Sequence, residues 1–565
     1  MTGARISFGV YSPGAKDAVT FSASSKQPWS DLAELSDGIG GVEPSDTTVK
    51  KYMTGEPDMT RLDGTFHLFP TSPTESDHLA YWSAQQSADD GSYGTAPPTL
   101  TCTFSEAQSS LGVTLCFDVT TPLKAFKVDW YGADGALLDT VTVSDNAQSV
   151  ASVEKHVDGY TKVDIVAISA DPHRYVKLQE IEWGQRIVYE SEELVTASLT
   201  EEVDLSGASA PAGSLQMTVL DPEGRLDPVN PAGIYDYLWR GLQVRVECML
   251  DGVYYPRGVY YLDEWEGQNA GTAKMSAVDA LGVEGAYESR LYESATPADI
   301  LADYVEAIGI EGKAQGLPVA SLTGYIPAGT AQDAAAHIAL ASGGVAVMQP
   351  DGSLAVQALS TEVTAELTED EVLGQPSAYR ISNPDTIEIE QHGYAIDNVE
   401  MGFLMQIPEA QGSGDNVRKL TLSPGAMLAS VRLTTPGPAW DFGVYSDRVE
   451  CLYSESDAGD AVGIKYHPAA QEDPDPVVVQ GSAGTKLSVQ GVPLITSENI
   501  DAVTAALQAY LGKTLRIKLR MVLRPDLLCG DRVSVPTRFG RAEGNIESIN
   551  VDLTGGMIAD VEVLV

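Results

Sequence analysis

Apolar and polar residues alternate more regularly between Ser214 and Gly285 than anywhere else in the chain. Leu215, Met217 and Val219 point one way and Gln216 and Thr218 the other, the period of two of a half-buried strand. Asp221-Pro222-Glu223-Gly224 supplies a turn, with proline fixing φ at its second position and glycine relieving a left-handed one. A second strand over 242–249 runs into Asp251-Gly252, the dipeptide that best marks a tight hairpin, and Val253 to Tyr255 return from it. Strands over 258–265 and 272–278 complete a small antiparallel set.

The same period recurs before this stretch. Leu100, Cys102 and Phe104 alternate, as do Val113, Leu115 and Phe117, then Phe126, Val128 and Trp130, then Val163, Ile165 and Ala167. Turn signals separate them at 109–112, 133–135 and 158–159, so residues 98–184 read as a β-sandwich. Residues 1–97 are rich in Ser, Asp, Gly and Pro and read as an N-terminal arm with short strands. After Gly285 the period changes to that of a helix. Thr296-Pro297-Ala298-Asp299 is a capping sequence, Ile300, Leu301, Tyr304, Val305 and Ile308 share one helical face, and Gly309 ends it. Thr330 and Asp333 open a second helix that stops at Gly343-Gly344, and a hairpin over 345–356 follows. Residues 291–375 therefore read as an α+β insertion and 376–495 as an irregular β region without assignable pairing. Residues 496–565 read as a helix followed by four strands. The fold class expected is mainly β and multidomain.

Asp and Glu number 80 against 35 Lys and Arg, a net charge of −45. A chain so acidic is poorly suited to gripping a phosphate backbone, and no specific nucleic-acid binding is expected. An acidic wall would instead let DNA slide past without sticking. The five cysteines, Cys102, Cys116, Cys248, Cys451 and Cys529, are too scattered for a disulfide framework and read as buried thiols, with Cys102 and Cys116 on adjacent strands. Neither a secretory leader nor a membrane span is expected, because the start lacks a basic and apolar run and no stretch of about 18 apolar residues occurs. The seven histidines show no metal-ligand spacing, and neither a GxSxG elbow nor a phosphate-binding loop is present. Asp221, Glu223 and Asp227 lack the ending of a calcium loop and read as turn residues. No enzyme, no cofactor and no metal are therefore expected.

The order of pieces carries a resemblance. A strand, the run Asp221 to Pro231, the aromatic stretch Ile234 to Trp239, the strand Gly241 to Val246, Gly258 to Leu262 and Ala277 to Leu281 together resemble the tail-hub proteins of bacteriophages and related injection machines. Cys529 to Val535 and the ending Val551 to Gly556 resemble the second barrel of such hubs. Residues 62–66, Leu-Asp-Gly-Thr-Phe, resemble a segment ahead of the sandwich in tail proteins of phages of Gram-positive hosts. Residues 98–184 resemble discoidin-like jelly-roll modules of phage tail and carbohydrate-binding proteins.

The resemblance implies two tail-tube-like β-barrels, at 185–290 and 496–565, with the α+β insertion between them. It implies a structural virion protein of the tail hub or baseplate, located at the tail tip and assembled in the host cytoplasm. Three copies would set six barrels around an axis and close the tail tube. Implied partners are further copies of the chain, distal tail or tail-tube proteins, the tape measure protein and host cell-wall polysaccharide. For the sandwich, sugar contact implies aromatic faces beside hydrogen-bonding side chains on loops. The candidates are Tyr131, Asp134, His156, Tyr160, His173, Arg174 and Tyr175. The alternative reading is a glycan-binding adhesin of a cell surface or particle, with the barrels as its stalk.

Overall fold

The alternation at the very start of the chain makes β1 (Thr2–Tyr11), whose Ala4, Ile6, Phe8 and Val10 are all buried. The computed structural model describes residues 2–12, 14–36, 52–60, 62, 66–68, 79–118, 121–204, 210–230, 233–268, 271–406, 418–434, 442–453, 461–479, 485–554 and 556–565. The chain forms two compact units, one of residues 7–188 with 232–242 and one of residues 1–6, 189–231 and 243–565. Both are built mainly of strands.

The first unit is a sandwich made by β2 (Val19–Ala23), β3 (Tyr81–Gln86), β4 (Thr99–Phe117), β5 (Ala125–Gly132), β6 (Leu137–Val143), β7 (Val150–Ser169) and β8 (Tyr175–Glu182). They run β3-β8-β4-β7-β5-β6, with β2 also on β4. Both β4 and β7 are long enough to serve both layers. Their ladder shifts register between Thr103 and Gln108 and again between Ser110 and Gly112. Each bulge bends the strand. Gly112 sits at φ +147, where a Cβ would come within 2.0 Å of the Val153 carbonyl oxygen. Only glycine allows that approach. Trp130, Phe126 and Tyr160 are fully buried, and Phe104 lies edge-on to Tyr160 at 5.3 Å and to Trp183 at 4.8 Å.

Two expectations are revised here. Cys102 and Cys116 are on one strand, β4, and not on neighbours, because the turn expected at 109–112 is a bulge. Segments expected in a separate arm also join the sandwich: β2 pairs with β4 and β3 with β8. Residues 52–60 are pinned to the sandwich by a buried ion pair between Lys177 Nζ and Glu56 Oε2 at 2.7 Å, with side chains 2% and 0% exposed. Glu56 also accepts from Thr54 Oγ1 at 2.8 Å and from the Tyr175 N–H at 3.1 Å, and Lys177 Nζ lies 4.4 Å from the Trp82 ring. Asp63 to Thr65 of the Leu-Asp-Gly-Thr-Phe segment, and Pro231, lie outside the described residues.

The second unit is organised by a large sheet. After β9 (Gly184–Glu190) come β10 (Leu194–Glu202), β11 (Ser214–Leu220), β12 (Gln243–Leu250), β13 (Val253–Gln268) and β14 (Thr272–Val278). The Asp221-Pro222-Glu223-Gly224 turn is fixed by the Asp221 carboxylate, which accepts from the N–H groups of Arg225 at 2.7 Å and Leu226 at 2.9 Å. Asp251 and Gly252 both have positive φ, +52 and +85, as a tight hairpin turn requires. Near the end of the chain come β15 (Ala365–Glu366), β16 (Ser377–Arg380), β17 (Leu515–Val522), β18 (Arg532–Thr537), β19 (Gly540–Asp552) and β20 (Ile558–Leu564). Within this unit the sheet runs β16-β17-β20-β19-β10-β11-β14-β13-β12, with β18 between β19 and β15.

Its two halves repeat. In each, four consecutive strands pair in the order first, fourth, third, second: β11-β14-β13-β12 and β17-β20-β19-β18. The ladder of first on fourth has seven pairs in both, from Ser214 to Leu220 and from Arg516 to Val522. That of third on fourth slips at the same step, after Leu262 in one and after Ile546 in the other. An extra antiparallel strand lies outside the first strand in each, β10 on β11 and β16 on β17.

Between the halves, α1 (Pro297–Ile308) and α2 (Ala331–Ala341) both carry full capping boxes, Thr296 with Asp299 and Thr330 with Asp333. Gly309 ends α1 at φ +73. The Val345–Met348 and Leu354–Gln357 hairpin and α3 (Ile500–Leu511) pack with them around Ile300, Tyr304, Ile338, Val356, Leu494 and Val503. Apart from β16, the described residues of the irregular region form three small sheets, one of which gathers Gly393–Ile396, Met401–Gln406 and Met427–Leu433 around Ala461–Glu472.

Breaking the Lys177–Glu56 pair strands a buried carboxylate, so Lys177→Ala is expected to lower stability of the full chain by about 3–5 kcal/mol. Lys177→Met with Glu56→Gln removes both charges and is expected to cost much less. Denaturant melts of the two variants check this, and equal losses would count against the ion pair.

Candidate functional site

Where the two halves of the large sheet meet, an apolar strand carries one misplaced charge. Arg257 interrupts the Tyr254 to Leu262 run of β13, and its side chain is 0% exposed. Its guanidinium pairs with Glu201 of β10, and Nη1 donates to the Leu527 carbonyl at 2.8 Å. One side chain thus ties the first half, the shared strand β10 and the loop between the first and second strands of the second half. Around it lie Tyr260, Cys248, Cys529 and Asp279, in a recess also lined by Glu202 and by Ala346 to Gln349 of the inserted hairpin.

Asp279 follows β14 and caps a short helical turn. Its carboxylate accepts from the backbone N–H groups of Gly213, Leu281 and Gly282. Burial pushes this carboxyl up to about 6, against those donors, which favour the charged form. Burial also raises Glu201, with Arg257 pulling the other way. Burial raises the thiols of Cys248 and Cys529 too, Cys248 to about 12, so neither is an activated nucleophile. The arrangement is that of a clasp. All five cysteines are buried outside any disulfide, and among the described residues no cluster of three or more His, Cys, Asp or Glu is placed to hold a metal.

The seven sandwich candidates fall in separate places. Tyr131 is half-buried on β5 with Lys162 Nζ 3.9 Å from its ring, and Asp134 turns back to accept from the Ala136 N–H at 2.9 Å. His156 is exposed on β7, 3.1 Å from Asp158 and 3.4 Å from the Tyr237 hydroxyl. Tyr160 is not at a turn surface: it is 0% exposed and its hydroxyl donates to Ser110 Oγ at 3.1 Å. Its ring belongs to the core, which removes it from any sugar-facing set.

His173, Arg174 and Tyr175 come together at the start of β8. His173 holds φ +60 with Nε2 3.1 Å from Asp89, and Arg174 Nη1 donates to the Pro57 carbonyl at 2.8 Å. Tyr175 packs near Trp82, 6.3 Å between rings. From Lys162 beside Tyr131, β7 runs seven residues to Ser169, about 23 Å at the rise of a strand, so the two groups are distinct.

Sequence reasoning missed Glu56, Lys177, Glu201 and Arg257 altogether. The available signal was a lone Arg in an apolar strand, which must find a partner once buried.

No protein-family model and no curated protein matches the sequence. Solved structures similar to it include the 43 kDa tail protein of prophage MuSo2 from Shewanella oneidensis, at 14% identity and TM-score 0.37, covering 67% of this chain and 95% of that one. The tail protein from Neisseria meningitidis MC58 gives 12% identity and TM-score 0.38, covering 66% of this chain and 92% of that one. The family 32 carbohydrate-binding module of C. perfringens NanJ, solved with galactose, gives 11% identity and TM-score 0.19, covering 32% of this chain and 99% of that one. At such values function has to be argued from the chain's own residues.

Asp279 makes a pH prediction. Its folded value of about 6 lies above the ordinary carboxylate value of about 4, so in that interval the folded chain keeps a proton that the unfolded chain has lost. The stability it contributes is present below about pH 4 and is lost as pH rises through about 6; the shift in Glu201 has the same sign. Relative to Asp279→Asn, the natural chain is expected to lose about 3 kcal/mol between those limits, read from urea midpoints at each pH. A gap between the two proteins that does not change with pH would sink this.

Proposed function

We propose that this chain is a structural component of a bacteriophage tail, a hub that closes into a ring at the tip of the tail tube. The observation that carries this is the repeat in the large sheet, where two sets of strands share order, ladder length and bulge position. A chain with two equivalent sets supplies two of the positions around an axis, so three copies supply six. The resemblance of Asp221 to Leu281 and of Cys529 to Gly556 to tail hubs falls on these two sets. Its role is mechanical: the ring caps the tube, joins tail-tube proteins and the tape measure protein, and opens when host contact loosens it. Its place is the virion tail tip, after assembly in the host cytoplasm.

The group of exposed His173 with half-buried Arg174 and Tyr175 favours a second role for the sandwich, contact with host cell-wall polysaccharide. Tyr131, Asp134 and His156 form further, separate contact points.

In solution the full chain is expected to scatter light as three 60.0 kDa copies, about 180 kDa, and to give rings in negative stain. A strict monomer at every concentration that still bound polysaccharide would favour the adhesin. On an array of host cell-wall polysaccharides the full chain is expected to bind and the His173→Ala, Arg174→Ala variant to lose most of that signal. Silence of the unaltered chain would remove the sugar-contact role and leave the ring untouched.

A further inference from the structure

The loop between the first and second strands of the first repeat leaves its own sheet. Residues 232–242 belong to the sandwich unit, although β11 and β12 on either side of them belong to the other. Ile234, Leu238 and Leu242 anchor the loop by burial, and its backbone closes on itself, with the Tyr237 N–H donating to the Ile234 carbonyl at 3.0 Å and the Leu242 N–H to the Trp239 carbonyl at 3.2 Å. The residues between these anchors turn outward. Trp239 is 39% exposed, Asp236 and Arg240 are exposed, and Tyr237 is half-buried.

Tyr237 meets β7 of the sandwich. Its hydroxyl lies 3.4 Å from His156 Nε2, and the two rings stand edge-on at 6.3 Å and 81°. Asp158 Oδ1 is 3.1 Å from the same imidazole nitrogen. Asp236 also lies close: burial raises the Tyr237 hydroxyl first, and the charges of Asp158 and Asp236 raise it further. A phenol, an imidazole and two carboxylates are therefore gathered at one spot of the sandwich unit, and the exposed indole follows two residues along the pinned loop. The sandwich sequence alone does not supply these aromatic rings to His156.

We propose that Tyr237 and Trp239, together with His156, Asp158 and Asp236, form a site for an uncharged polysaccharide. The proposal rests on the reading of the sandwich as a sugar-contacting module, and it assigns a site and a class of sugar. Aromatic faces cover the C–H face of a sugar ring, and each carboxylate has two oxygens to accept from neighbouring sugar hydroxyls. Charge selects among polymers. Two carboxylates against one cation, Arg240, on a chain of net charge −45, repel a polymer that carries phosphate or uronate, whereas a neutral one approaches without opposition. A polymer long enough to engage this site and the His173 to Tyr175 group at once loses most of its grip when either is removed.

The test is the full chain on matched panels of uncharged and of phosphate- or uronate-bearing cell-wall polysaccharides. Binding is expected on the uncharged panel, with little dependence on salt. Trp239→Ala is expected to weaken it about tenfold, Trp239→Phe to keep most of it, and Asp158→Asn with Asp236→Asn to weaken it by a similar factor at an unchanged denaturant midpoint. Uncharged polymers bound equally well by the natural chain and by Trp239→Ala, with binding lost in the His173→Ala, Arg174→Ala variant, overturn this site and leave the sugar-contact reading. Preference for the anionic panel overturns the assigned class. Silence of the natural chain on both panels overturns the site and the reading together.

Discussion

A β-strand has two hydrogen-bonding edges, and β10 spends one on each repeat. Its pairs with β11 and with β19 turn two sets of strands, far apart in sequence, into one sheet. Burying a charge beside this strand fixes its position further. Arg257 is only tolerable at 0% exposure because Glu201 and the Leu527 carbonyl meet it, and those partners come from β10 and from the second repeat. The inserted helices, the hairpin after α2 and the small sheets are accommodated around that frame. The same logic operates on a smaller scale in the sandwich, where Glu56 and Lys177 anchor residues 52–60.

Local chemistry was legible in the sequence where a few neighbouring residues decide the outcome. The capping boxes at Thr296 and Thr330, the stop at Gly309, the turn at Asp221 and the hairpin at Asp251-Gly252 all form as their residues require. Alternation likewise located most strands of the sandwich and of both repeats. Its failure at 109–112 is instructive. Ser-Ser-Leu-Gly has turn chemistry, yet β4 continues through it because the bulges let a single strand bend between layers while keeping Val113 and Leu115 inward. Tyr160 failed for a related reason: the Gly159 beside it suggested a turn, but the strand carries the ring into the core.

Long-range pairing was not legible. The repeat is nearly silent as sequence, since across its four matched strands only Val244 with Val533, Val246 with Val535 and Ala273 with Ala559 are identical. What persists is the inward series, Leu215, Met217 and Val219 against Ile517, Leu519 and Met521, every one of them buried. A pattern of that kind predicts strands and is blind to which strands meet. The seven sandwich candidates show the same limit, because their grouping depends on how β7 and β8 are laid side by side. His173 to Tyr175 emerge together, whereas Tyr131 is a separate neighbourhood.

The matched bulges after Leu262 and Ile546 have a consequence for natural variation. A slip of one residue in any of these strands would turn its whole inward series toward water. Relatives of this chain can therefore change length freely in the segments joining first to second strand, which here span 221–242 in one repeat and 523–531 in the other. Between the bulge and the end of each ladder, they must conserve count even as every letter changes.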